Sequence, residues 1–331
     1  MKHWRRQSWT REVAIVWIAI SLPFAPVAVA QSWRPDRPVE IVSGTSGGGA
    51  DRLARLIQML MQDKQLVPTP VNVVTKIGAG NSIAFHYVSQ KAGDGHSLLV
   101  GTLSLSINYL TSTSRLGFRD FTPICTLFDE YVALAVRADS PIKTGRDLVE
   151  RLRRDPTSVS IGITSLGGAN HLAAALVLRT AGVDVKKVRT VAFDSAGKAM
   201  IAVLGGHVDV APTSASVPVA HLQAGTVRVL GITAPRRLGG AYANVATWRE
   251  QDVNIEFSSY RGFVAPKGVN DAQIEYWENV FAAIDQDDRW RDNAEKTLVH
   301  PQFRRGRETL KYLLDLEASL KSVLGELGML K

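Results

Sequence analysis

Ser43-Gly44-Thr45-Ser46-Gly47-Gly48-Gly49-Ala50-Asp51 is the stretch on which the fold turns. Pro38-Val39-Glu40-Ile41-Val42 before it reads as a strand. After it, Leu53, Leu56, Ile57 and Leu60 recur at i, i+3, i+4 and i+7, one face of a helix. Strand, glycine loop and helix in that order set a row of free backbone N–H groups at a helix N-terminus, where a small anion is held without a positive side chain. The loop has neither the G-x-G-x-x-G spacing of a dinucleotide site nor the Lys-Ser/Thr of a P-loop.

The arrangement returns later. Val159 to Ile163 is a strand, Thr164-Ser165-Leu166-Gly167-Gly168-Ala169-Asn170 a second glycine loop, and His171 to Thr180 a helix stopped by Gly182. Around the first loop, Val71 to Val74 and Ser97 to Val100 are further strands, and Ser82 to Ala92 is helical. Around the second, Arg189 to Phe193 and Val227 to Ile232 are strands, and Ala199 to Leu204 is a helix ended by Gly205-Gly206. Tyr131 to Val136 and Phe257 to Pro266 are β-type runs, and the remainder is read as helical. Asn270 caps one of those helices, and Leu313, Leu316, Leu320, Val323, Leu324 and Leu327 form the apolar face of the last. Alternating strands and helices predict an α/β protein with mostly parallel sheets covered on both faces, its ligand outside the carboxyl ends of the strands. Five loops rich in Gly, Ser and Thr end there, at 43–51, 101–104, 164–170, 194–198 and 213–216.

At 331 residues, with 45% hydrophobic and 21% charged residues, the chain has the composition of a soluble globular protein, most simply in two domains. Of the formal net charge of +8, the first thirty residues supply +3 through Lys2, Arg5, Arg6 and Arg11 against Glu12, leaving +5. The other basic clusters are short and scattered, and no nucleic-acid motif accompanies them, so no nucleic-acid partner is expected. Residues 1–30 read as a signal peptide: a basic head, an apolar run from Val13 to Leu22, and Ala28-Val29-Ala30 before Gln31. Arg5-Arg6 leaves both the general secretory and the twin-arginine routes open. The mature chain is expected in the periplasm. Cys125, the lone cysteine, is expected as a buried small hydrophobe.

Catalytic signals are weak. The seven histidines are scattered, with no H-E-x-x-H and no Cys/His cluster, so neither metal nor cofactor is expected. Ile163 occupies the place where a nucleophile elbow around Ser165 needs glycine. No catalytic residue is assigned, and a hydrolase built on Ser165 with His171 stays as an alternative. His171 either touches a ligand or caps its helix.

Several segments carry a resemblance: Pro38-Val39 through Gly47-Gly48 and Asp51, Gly78-Ala79-Gly80-Asn81, Asp94-Gly95 with Leu98 to Thr102, and Arg137-Ala138-Asp139-Ser140-Pro141. Gly205-Gly206-His207-Val208-Asp209, the Gly225 turn before Val229 to Thr233, and Ala265-Pro266 continue it. In order and spacing the chain resembles the periplasmic solute-binding proteins of tripartite tricarboxylate transporters, the Bug family. The resemblance implies a type II periplasmic-binding-protein fold of two lobes around a Venus-flytrap cleft. Lobe one is placed at residues 31–135 and 259–331 and lobe two at 136–258, with crossings near Leu134–Arg137 and Phe257–Tyr260. By the same resemblance the ligand is a small carboxylate, the partners are membrane permease subunits or a sensor domain, and the protein is a monomer. Carried over by position, the ligand-binding residues are Ser46, Gly47, Gly48, Thr102 and Ser104 in lobe one. In lobe two they are Thr164, Ser165, Asn170, Asp194, Ser195 and Thr213. Asp51 is assigned to capping the first helix. Two departures bear on the ligand. Ser43-Gly44-Thr45 stands where the family commonly has Pro-Phe-Pro, and Phe193-Asp194-Ser195 where it commonly has Tyr-Lys-Gly. A carboxylate at 194 disfavours a second carboxyl group unless Lys198 compensates, which leaves a monocarboxylate, an amino-bearing acid or a neutral polar solute open.

Overall fold

A computed structural model describes residues 1, 33–164, 166–193 and 195–330. Apart from Met1 the expected leader lies outside these residues, as do Ser165 and Asp194. In chain order the first part holds β1 (Val39–Ser43), α1 (Gly49–Asp63), β2 (Val71–Thr75), α2 (Ser82–Ser89), β3 (Ser97–Thr102), α3 (Ser104–Leu110) and β4 (Phe121–Arg137). The middle holds α4 (Gly145–Arg154), β5 (Ser160–Ile163), α5 (Ala169–Thr180), β6 (Arg189–Ala192), α6 (Ala196–Leu204), β7 (Val210–Ser214), α7 (Val219–Gln223) and β8 (Val227–Ile232). The last part holds β9 (Ser258–Pro266), α8 (Asp271–Asp285), α9 (Asp288–Thr297), β10 (His300–Arg305) and α10 (Gly306–Glu326).

The strands run in the order β2-β1-β3-β9-β4-β7-β5-β6, with β8 and β10 also on β4. Both outer groups are parallel, as the strand–helix alternation predicts: β1 lies between β2 and β3, and β5 between β6 and β7. Strands β4 and β9 join them antiparallel. Near-continuous apolar runs fit strands covered on both faces: Ile41, Val42, Leu98 and Leu99 in the first group are fully buried. α1 buries Leu53, Ile57, Leu60 and Met61 against them. Leu313, Leu320 and Leu324 of α10 are buried too, so that helix packs on its own protein. Cys125 is a free, buried thiol whose pKa burial pushes up.

Two segments differ from the sequence reading. The β-type run at 131–136 is only the end of β4, which begins at Phe121 and spans 17 residues. Pro123 masks the earlier part: it removes a ladder donor, and the strand accommodates it where the β4–β9 register shifts between Pro123 and Cys125. The remainder after Pro266 is not all helix, because His300–Arg305 pairs with β4 as β10. Pro301 and three charged or basic residues hide a strand with only one neighbour, where a missing amide is tolerated.

β4 changes partners midway. Tyr131 faces Ser258 of β9, whereas Val132 faces Ser214 of β7. Buried Thr233 ties this point to the start of β9. Its Oγ1 accepts from the Val132 N–H at 2.9 Å and donates to the Phe257 carbonyl at 2.6 Å.

Candidate functional site

The two glycine loops are built alike. In the first, Gly47 adopts φ +68°, Gly48 precedes the helix, and Asp51 is its third residue. In the second, Gly167 adopts φ +74°, Gly168 precedes the helix, and His171 is its third residue. A positive φ is strained for side chains with a Cβ, so glycine fits at each bend. Gly47 N–H donates to Asp51 Oδ2 at 3.0 Å, and Gly167 N–H donates to His171 Nδ1 at 2.9 Å. Both acceptors are buried, at 4% and 9% exposure. Each loop is thus locked by the side chain four residues on. The N–H groups of the first helical turn have no partner inside the helix, and those of α1 and α5 carry the positive ends of the helix dipoles.

These two N-termini meet across a cavity of about 370 Å³. Gly49 and Ala50 of α1 form one wall, with Thr45, and Gly168, Ala169 and Asn170 of α5 form another, with Thr164. The end of β3 adds Thr102 and Ser104, whose hydroxyls lie 2.6 Å apart. Asn81 Nδ2 donates to Ser104 Oγ at 2.8 Å, and Asn108 Nδ2 to the Gly80 carbonyl at 2.6 Å. The floor comes from β4 and β9. Glu130 and Val132 are two apart on one strand, Ser259 and Arg261 two apart on the other, so each pair shares a face. Arg261 Nη2 donates to Glu130 Oε2 at 3.3 Å, and its Nη1 to Ser259 Oγ at 2.9 Å and the Tyr260 carbonyl at 3.0 Å.

Of the residues assigned from sequence, Thr102, Ser104, Thr164 and Asn170 line this cavity. Ser46, Gly47 and Gly48 sit beside it, and the wall takes Thr45, Gly49 and Ala50 of the same loop. The Gly47 amide is engaged by Asp51. Thr213 is fully buried and the wall takes Ser214, because neighbours on a strand point to opposite faces. Exposed Ser195 caps α6, its Oγ accepting from Lys198 N–H at 3.2 Å. Glu130, Arg261, Asn81 and Asn108 escaped the sequence reading, whereas Ser214 falls inside the expected 213–216 loop without being assigned. For the first two a signal existed: Glu130 follows Asp129 inside the β4 run, and Arg261 is the one charge in β9. Gly44 also has a reason of its own, since a Cβ there would come within 2.7 Å of the Asn81 side chain.

The locks differ in their response to pH. Burial by itself raises the Asp51 carboxyl, but hydrogen bonds from Arg55 and Gly47 outweigh it and hold the group below the usual carboxylate range. Burial lowers the His171 pKa, so the ring stays neutral, as an acceptor Nδ1 requires. The unfolded chain takes up this proton near the ordinary value of 6.5 and the folded chain only at lower pH. Stability therefore falls as pH drops from 6.5 toward the depressed folded value, by at most about 1.4 kcal/mol per pH unit from this group. His171→Gln keeps an acceptor without the titration. Denaturant midpoints between pH 7 and 5 are expected to decline less steeply in the variant, and equal slopes would remove the assignment.

Residues 53–329 match the family described as the tripartite tricarboxylate transporter family receptor. The chain is 25% identical over 324 residues to the protein of the gbd 5′ region of Cupriavidus necator, covering 96% of each. It is 25% identical over 267 residues to BugT of Bordetella pertussis, covering 79% of this chain and 80% of that one. Among solved structures it is similar to MatC of Rhodopseudomonas palustris with bound malate. The TM-score is 0.74 and the identity 25%, over 88% of this chain and 99% of that one. Rpa4515 of R. palustris with adipate shares the fold at a TM-score of 0.79 and 23% identity, over 89% and 98%. The family consists of receptors, and these neighbours are binding proteins rather than enzymes.

Proposed function

Because the chain belongs to the tripartite tricarboxylate transporter receptor family, we propose that it captures a small carboxylate in the periplasm and delivers it to the membrane permease subunits of such a transporter. The observation that carries this reading is the convergence of two helix N-termini, each with a locked glycine bend, on one cavity. A carboxylate there accepts backbone hydrogen bonds and meets two favourable dipole ends. The carboxylates in the MatC and Rpa4515 structures support the same ligand class. Under this proposal Ser46, Gly48, Thr102, Ser104, Thr164 and Asn170 surround the ligand, with Ser165 adjoining Thr164 in sequence. The chain then works as a monomer after removal of residues 1–30. Its two lobes move where β4 changes partners near Tyr131–Val132 and where Phe257 leads into β9, and ligand preference for the closed form drives closure.

The test is thermal denaturation of the purified exported protein against a panel of mono- and dicarboxylates. A ligand at a hundred times its Kd contributes about 2.7 kcal/mol. That corresponds to a rise in Tm of roughly 4 °C for a chain of about 300 residues. Stabilisation by neutral or cationic solutes alone, with every carboxylate silent, would overturn the reading.

A further inference from the structure

The floor of the cavity carries a charge pair that a simple anion trap does not need. Glu130 and Arg261 are the charged residues among the described ones lining it, and they face each other at 3.3 Å with side chains only 13% and 17% exposed. Arg261 is further held by Ser259 and the Tyr260 carbonyl. Its positive charge is therefore compensated before any ligand arrives.

Beyond the pair lies a second cavity of about 140 Å³ that shares Gly49 and Glu130 with the first. The two adjoin along β4: Phe128 lines the second cavity, Glu130 both, and Val132 the first. Successive same-face residues are about 6.6 Å apart, within reach of a short carbon chain. The second cavity has Leu53, Leu56, Phe128, Trp290 and Val299 as its apolar wall, with Ser216, Asn293 and Thr297 on the polar side. Arg52 stands at its exposed edge, Nη1 donating to the Gly47 carbonyl at 2.9 Å. An apolar cavity of about 150 Å³ is known to accept a benzene ring.

We infer that this receptor selects monocarboxylates with an uncharged apolar tail over dicarboxylates, with Glu130 as the residue that rejects the second carboxylate and the Phe128–Trp290 cavity as the tail's subsite. The inference rests on the carboxylate-binding reading above. The head group takes the helix N-termini, and the tail passes Gly49 into the apolar annex. A second carboxylate on the same path meets a Glu130–Arg261 pair whose charges already offset each other, and so finds no free cation there. To reach Arg261 it must first separate a pair whose remaining member would be left unpaired. An apolar tail meets no such penalty and buries its surface against aromatic and aliphatic walls.

Hexanoate and adipate have the same carbon count and differ by one carboxylate, so calorimetric titration of the pair isolates the effect. Hexanoate is expected to bind at least tenfold tighter than adipate. Glu130→Gln frees Arg261 and is expected to strengthen adipate binding at least tenfold, and tenfold more than it strengthens hexanoate. Leu56→Phe narrows the annex and is expected to weaken hexanoate at least tenfold while leaving acetate within threefold. The acetate affinity also reports that the variant is folded. Equal or tighter binding of adipate by the unaltered protein, or an adipate affinity unmoved by Glu130→Gln, overturns the selectivity and leaves the receptor reading standing. Failure of acetate, hexanoate and adipate alike overturns the selectivity, and the receptor reading falls only if the whole carboxylate panel above is silent as well.

Discussion

Asn170→Asp is expected to leave the melting temperature unchanged or raise it, while weakening carboxylate binding at least a hundredfold. The two effects have opposite signs because one new charge acts in two settings. Asn170 is the second residue of α5 and lines the cavity. A carboxylate in the first turn of a helix interacts favourably with its dipole, by about 0.3–1 kcal/mol. A ligand carboxylate at the same N-terminus meets that charge as a like neighbour and loses an amide donor. Two unit charges about 4 Å apart at an effective dielectric near 20 repel by about 4 kcal/mol, more than the roughly 2.7 kcal/mol that a hundredfold change requires. A merely structural role for Asn170 predicts no such divergence. Calorimetric titration beside a thermal melt reads both quantities, and unchanged affinity would remove α5 from the site.

Gly262→Ala should be the most destabilising single-methyl change in the fold. Gly262 lies on β9 where β4 crosses closest, and a Cβ there would run into the Cys125 carbonyl oxygen and come within 2.7 Å of Thr126 Cα. Both are backbone atoms of the strand that carries the cavity floor, so no rotamer change relieves the overlap. β4 and β9 must separate, disturbing the pairing on either side of Glu130 and Arg261. A loss of about 4 kcal/mol or more is expected, at the upper end for single substitutions. The matching drop in Tm is roughly 6 °C. Circular dichroism melts check it, and a drop under 2 °C would mean that the strands yield more easily than close packing allows.

Much of the site was legible before any coordinates. Glycine, serine and threonine clustered after strands mark chain that must bend and expose backbone donors, and the second such cluster marked the opposing wall. Thr102, Ser104, Thr164 and Asn170 followed from that reading and do line the cavity. The locks are not legible in sequence: Asp51 reads as the cap of α1 and His171 as a cap or a ligand contact, yet neither α1 nor α5 has a side-chain cap, and both side chains accept from a loop glycine instead. What decides His171 is its buried acceptor contact with Gly167, repeating the Asp51–Gly47 spacing. A sequence comparison of the two loops hides this spacing, because aspartate and histidine share no obvious likeness except as acceptors.

The α/β class and the two strand–loop–helix units are legible in the chain alone, since apolar periodicity and glycine bends are local properties set within a dozen residues, and the family is legible as a resemblance in the order of its motifs. Which side chains share the cavity is a matter of the packed fold. Glu130 and Arg261 are 131 positions apart in the chain, and it is the β4–β9 register, with Phe128 opposite Arg261 and Glu130 opposite Ser259, that brings them within reach as diagonal neighbours. The same holds for the annex, whose walls come from α1, β4 and α9 and the segment before β10. Local sequence fixes the backbone donors a loop can offer. The pairing of distant strands fixes the charge and the apolar surface that those donors meet, because burial and Coulomb energy depend on proximity in space rather than along the chain.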